Sequence, residues 1–146
     1  MFKHILISTD GSAISIKAAK AGIALAKALG ARVTAYSAIE TMQGMYMEDV
    51  VFDERTLEKI ESSASQAGQK RVNAIEKLAK AARVPFASLI TKANTPYEGI
   101  IAAAKKQKCD VIFMASHGRS GVAKWVMGSV TQKVLAHCAI PVVVYR

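Results

Sequence analysis

Five short apolar runs, separated by longer segments of helical periodicity, constrain the fold of this chain more than any other feature. The runs are Lys3 to Thr9 (K-H-I-L-I-S-T), Val33 to Ile39, Phe86 to Thr91, Val111 to Ala115 and Ile140 to Tyr145. Each has the length of a strand, and an unbroken apolar run such as Val111 to Ala115 fits a strand buried on both faces. The resulting order, β-α-β-α-β-α-β-α-β, predicts an α/β fold with a parallel sheet covered by helices on both sides. The 146 residues show no internal repeat, no low-complexity linker and no second domain, so one domain over residues 1–146 is expected.

The helices carry their own punctuation. Ser12 is a plausible N-cap for Ala13 to Leu29, with Ile16, Ala19, Ile23, Ala26 and Leu29 on one stripe and Gly30 just past the end. Glu40 to Val51 reads as a loop or lid carrying Met42, Met45, Tyr46 and Met47. Asp53 to Ala82 is a long helical stretch that Gly68 is able to break. Asn94-Thr95-Pro96 opens a helix running to about Gln107, with Pro96 in the first turn. A last helix ends near His137, and Pro141 stands at the start of the final strand, where a missing N–H is tolerated.

Composition narrows the class. Half the chain is apolar, which argues against disorder. No apolar run approaches the roughly 18 residues of a membrane helix. The first ten residues reach an acid too soon for a signal peptide, and Cys109 and Cys138 form no C-x-x-C, so a cytoplasmic protein with two core thiols is expected. The net charge of +9 favours anionic partners, but Lys17, Lys20 and Lys27, or Lys70, Lys77 and Lys80, sit at helical spacing. No arginine-rich run or basic stretch interleaved with aromatics occurs, so a solvated basic surface is expected rather than a nucleic-acid face.

The chemistry gathers in Asp110 to Thr131, D-V-I-F-M-A-S-H-G-R-S-G-V-A-K-W-V-M-G-S-V-T. An apolar strand leads into a small-residue loop, Ser116 to Gly121, and Gly128-Ser129 then opens a helix with Val130, Val134, Leu135 and Cys138. A strand, a glycine loop and a helix with unpaired N–H groups form an arrangement that binds phosphate. Ser129 fits an N-cap, or a donor to a phosphate oxygen. Neither G-x-x-x-x-G-K-[ST] nor G-x-G-x-x-G is present.

What stands there instead is Ala115-x-x-Gly118, nine residues, then Gly128-Ser129. This resembles the ATP-binding signature of the universal stress protein family, G-x-x-G, nine residues, G-[S/T]. Ala115 replaces the first glycine. A methyl there crowds a ligand if the position needs positive φ, and is harmless if it merely ends a strand. The resemblance extends to T-D-G-S after the first strand and to the closing P-V-V-V-Y. It implies an open five-stranded sheet of order 3-2-1-4-5, Rossmann-like and of the adenine nucleotide alpha hydrolase type. In that order the ligand crevice lies between strands one and four, beyond their carboxyl ends.

Roles follow from the resemblance. Main-chain N–H groups near Gly118, Gly128, Ser129 and Val130 cradle phosphates. Asp10 accepts from the adenine amino group, with Thr9 beside it, and the backbone at Ala38 reads the adenine edge. Met114 packs on the nucleoside, and His117 and Arg119 offer charge to a triphosphate. Mg²⁺ or Mn²⁺ bridges the phosphates of ATP, with no dedicated protein metal cage. The last strand pairs with its twin in a homodimer. Plainer readings fit the same residues: Asp10 as a turn aspartate, the glycines as turn formers, His4 and His137 as structural, Trp125 to Met127 as packing. No nucleophile, base and orienting group assemble from three histidines. A nucleotide-dependent regulatory protein is therefore expected, with a slow ATPase or phosphotransferase, and a nucleotide-independent protein- or nucleic-acid-binding dimer, as the other two readings.

Overall fold

A computed structural model describes residues 1–40, 52–119 and 126–146. The methionine-rich segment after Glu40, and Trp125, lie outside the described residues. The elements run β1 (His4–Ser8), α1 (Ala13–Leu29), β2 (Arg32–Glu40), α2 (Glu54–Ala82), β3 (Phe86–Ala93), α3 (Pro96–Lys106), β4 (Val111–Ala115), α4 (Ser129–His137) and β5 (Val142–Tyr145). All five strands are parallel, in the order β3-β2-β1-β4-β5. Among the described residues no helix is long and apolar enough to cross a membrane.

The sheet divides the core into two layers. Ile5 and Ile7 of β1 point to one face with α1 and α2, while Leu6 points to the other with Tyr36, Ile100 and Ile112. Every residue of β1 and β4 is buried, which is why their sequences are apolar runs rather than alternations. Cys109 is buried as expected, and burial together with the Asp110 charge pushes its thiol up to about 11. Cys138 is only half-buried.

The helices differ from the sequence reading in instructive places. The buried stripe of α1 is Ser15, Ala18, Ala19, Gly22, Ile23 and Ala26; it contains Ala19, Ile23 and Ala26 of the expected stripe, while Ile16 and Leu29 are half-buried. Gly22 packs closely on the sheet, where a Cβ would stand 2.9 Å from Ile7 Cδ1. Helix α2 is continuous for 29 residues, with no break at Gly68. That glycine is buried against the sheet, where a Cβ would stand 3.1 Å from Ile90 Cγ2. The buried residues of α2 are Gly68 at its midpoint and Val72, Ile75 and Ala79 beyond it. A methyl at Gly99 in α3 would overlap the Tyr36 hydroxyl, which bonds Thr91 Oγ1 at 2.8 Å.

At the opposite end of the sheet, Asp110 accepts the main-chain N–H groups of Lys3 and His4 at 2.7 and 3.1 Å, tying the start of β4 to β1. His4 is buried, with Nε2 2.8 Å from Thr34 Oγ1. Burial and the nearby Arg32 charge hold its imidazole below the ordinary 6.5, against a smaller opposing pull from Asp110. A base depressed in the fold is neutral in both states above its unfolded value, and only the unfolded chain gains a proton just below it. Stability should therefore fall as pH drops from about 6.5 through the lower folded value. Urea titrations between pH 7 and 5 should show a steeper loss for the wild type than for His4→Asn.

Candidate functional site

A cavity of about 550 Å³ opens beyond the C-terminal ends of β2, β1 and β4, where the strand order reverses. All eleven residues singled out from the sequence line it: Thr9, Asp10, Ala38, Met114, Ala115, His117, Gly118, Arg119, Gly128, Ser129 and Val130. Strand order alone brings them together, since β1 and β4 are neighbours although about a hundred residues separate them.

Asp10 holds the two halves of the site in register. One carboxylate oxygen accepts the Ser12 N–H at 2.9 Å and the other the Arg119 N–H at 2.9 Å. Arg119 Nε returns a bond to the Asp10 carbonyl at 2.8 Å. A Cβ on Gly118 would overlap the Asp10 carboxylate, so this loop closes on β1 only with glycine there. Burial pushes the Asp10 carboxyl up, but hydrogen bonds from Ser12 and the Arg119 amide outweigh it and leave the group below the ordinary carboxylate value. The plain turn role and a place on the cavity wall thus coincide in one side chain.

The start of α4 corrects two assignments. Ser129 is not the N-cap: Gly128 is, with no side-chain cap bond, and Ser129 is the first helical residue. The Gly128 N–H is already used by the Ser116 carbonyl at 2.7 Å, so it is not a phosphate donor. A Cβ on Gly128 would stand 3.1 Å from His117 Cα and 3.3 Å from the Ser116 carbonyl, so this glycine lets the helix start sit against the loop. The N–H groups of the first turn have no partner inside α4. Ala115 ends β4 in register with Tyr145, and Arg83 and Lys108 alone among described non-glycine residues have positive φ. The methyl in place of a glycine is therefore carried by ordinary strand backbone. His117 Nδ1 lies 3.0 Å from the Ser116 hydroxyl.

The family model described as "Universal stress protein family" matches residues 1–146. The chain belongs to the universal stress protein family. It is 33% identical over 146 residues to the universal stress protein in the QAH/OAS sulfhydrylase 3′ region of Thermus aquaticus, covering 100% of both chains. Among solved structures it is similar to hypothetical protein MJ0577, with a TM-score of 0.83 and 24% identity, covering 99% of this chain and 95% of that one. It is also similar to a universal stress protein crystallised in complex with cAMP, with a TM-score of 0.72 and 20% identity, covering 99% and 97%.

Several cavity residues of this universal stress protein escaped the sequence reading: Ser8, Ser15, Tyr36, Ile39, Ala64, Arg71, Pro96, Ile100 and Thr131. Thr131 is buried and gives its hydroxyl to the Ala115 carbonyl at 2.9 Å, fastening α4 to β4. The Thr9 and Ser15 hydroxyls, both buried, meet at 3.0 Å under the start of α1. Arg71 reaches the cavity from α2, and its position in a periodic lysine-rich helix gave no sign of that. For the Asp10 clasp, Asp10→Ala should cost about 2 kcal/mol, the scale of losing hydrogen bonds to a charged acceptor. Amide exchange at Ser12 and Arg119 should quicken in that variant, and unchanged exchange at Arg119 would show that the loop is held by other means.

Proposed function

We propose that this chain binds an adenine nucleotide, ATP with Mg²⁺ or Mn²⁺ on its phosphates, and works as a nucleotide-dependent regulatory protein. The observation that carries this reading is the meeting of the α4 N-terminus, Gly118 and Arg119 on one cavity. A helix start offers unpaired N–H groups and the positive end of its dipole to an anion. Among the described lining residues Asp10 is the one carboxylate, against the guanidinium groups of Arg71 and Arg119. Ala38, Ile39, Ala64, Ile100 and Met114 also line the cavity, apolar side chains suited to a base. A family relative in complex with cAMP supports the same ligand class.

In this reading Ser129, Val130 and Thr131 N–H groups hold the phosphates, the Ser129 hydroxyl adds a donor, and Arg119 neutralises charge. Among the described residues no group of three or more His, Cys, Asp or Glu side chains is placed to hold a metal ion. A divalent cation would therefore be carried by phosphate oxygens and water, which is the usual habit of Mg²⁺. Both Asp10 oxygens already accept main-chain N–H groups, and the described partner of His117 is a serine hydroxyl. That arrangement favours binding over rapid hydrolysis. With Mg-ATP at a hundred times its Kd, the unfolding free energy should rise by about 2.7 kcal/mol. Gly118→Val with Gly128→Val should abolish the rise, and retention of it in the double variant would remove the phosphate site. Steady ADP release over hours from the wild type would favour the slow-ATPase reading.

We also propose a homodimer through β5. It is an edge strand whose four residues are half-buried, an open template for pairing. Ile112 N–H bonds the Pro141 carbonyl and Ser116 N–H the Tyr145 carbonyl, so the odd-numbered groups face β4. In a parallel ladder the alternate N–H groups, at Val142 and Val144, then point outward. Val144→Pro should leave the β4 ladder intact and shift sedimentation from dimer to monomer. A dimer that survives the change would place the interface elsewhere.

A further inference from the structure

Arg71 enters the cavity from α2. Its stem lies over Gly11, whose φ is +81: a Cβ there would stand 3.1 Å from Arg71 Cγ and 3.4 Å from Cδ and Nε. The guanidinium continues to β2, where Nη1 donates to Ser37 Oγ at 3.4 Å. Ala38 and Ile39 from β2 and Ala64 from α2 line the same cavity. The glycine loop belongs to β4, and β1 lies between β4 and β2. Two strand spacings are about 10 Å, so the Nη1 end beside Ser37 lies toward the β2 side of the cavity, while the stem crosses Gly11 next to Asp10. From a phosphate held at the start of α4, the sugar and base span that distance.

We propose that Arg71 is a specificity-determining residue that contacts the nucleoside part of the ligand rather than its phosphates; this rests on the nucleotide reading above. A guanidinium is planar, carries five N–H donors and stacks on aromatic faces. It therefore matches a purine twice, through ring-nitrogen acceptors and through the π face. Ala38, Ile39 and Ala64 carry no side-chain donor, and Arg71 brings a charged one to the same cavity. Gly11 takes a positive φ that favours glycine, and the Arg71 stem, sixty positions on, packs over it.

The test compares wild type, Arg71→Met and Arg71→Lys by calorimetric titration with ATP, with inorganic tripolyphosphate as a competitor. Methionine keeps a stem over Gly11, and lysine keeps the charge while losing the planar fork. Both variants should weaken ATP about tenfold, the scale of one hydrogen bond from a charged donor, and leave the tripolyphosphate competition constant unchanged. Unchanged ATP affinity in both variants overturns the proposal. Equal weakening of ATP and tripolyphosphate overturns it too, by placing Arg71 on the phosphates. Failure of the wild type to bind ATP at all instead removes the nucleotide reading, and this inference with it. Melting curves of all three proteins without ligand show that the fold is shared, and if Arg71→Met does not fold, Arg71→Lys decides.

Discussion

The clasp between the end of β1 and the loop after β4 is the contact on which the site depends. It joins residues 109 positions apart through the Asp10 carboxylate, the Arg119 amide and the Arg119 side chain. The sheet makes it possible by placing β1 beside β4, but the sheet alone leaves the loop free to swing. Asp10 uses one oxygen to fix the start of α1 and the other to fix the loop. A single ionised group thus aligns the approach to α1 with that loop on one cavity. Its carboxyl stays ionised because the amides that it aligns also stabilise its charge.

Much of the architecture was legible because two-sided burial leaves a plain trace. Val111 to Ala115 and Ile5 to Ile7 read as strands since no position in them faces water. Strand boundaries were less legible at β2 and β3, which run on to Glu40 and Ala93 through polar residues. Hydrogen bonding to a neighbouring strand holds those ends, and periodicity carries no record of it. The strand order came from family resemblance alone, and the parallel ladder of the structure has that order. Every cavity residue nominated from the sequence lay near the end of a strand or in the glycine segment. Of those missed, Arg71, Ala64 and Ile100 come from helices whose sequences look like ordinary amphipathic faces, while Ser8, Tyr36 and Ile39 belong to strands.

The glycines show where local reasoning is weakest. Gly68 reads as a breaker, yet it and Gly99 both mark places where another side chain packs closely on the helix, against a methyl outright at Gly99 and tightly at Gly68. Helix propensity disfavours them by about 1 kcal/mol each relative to alanine. Tertiary contact with Ile90 and Tyr36 decides the matter, and neither neighbour is near in sequence. Gly128 belongs to the same class: its amide is spent on Ser116, and its lack of a side chain is what the helix start requires.

That distinction bears on Ala115. A glycine signature can mean that main-chain amides must face a ligand, that φ must be positive, or that two backbones must touch. Gly128 satisfies the third condition against the His117 and Ser116 backbone, and Gly118 makes a similar close approach to the Asp10 side chain. Ala115 meets none of the three, because its backbone is strand, its carbonyl is taken by Thr131 and its register partner is Tyr145. A methyl at the last residue of β4 therefore leaves the clasp and the start of α4 untouched. The departure from the signature falls on the one position where the fold asks for an ordinary strand residue. An anion-binding reading of this cavity thus draws its force from the α4 N-terminus, Gly118 and Arg119 together, not from the count of glycines in the motif.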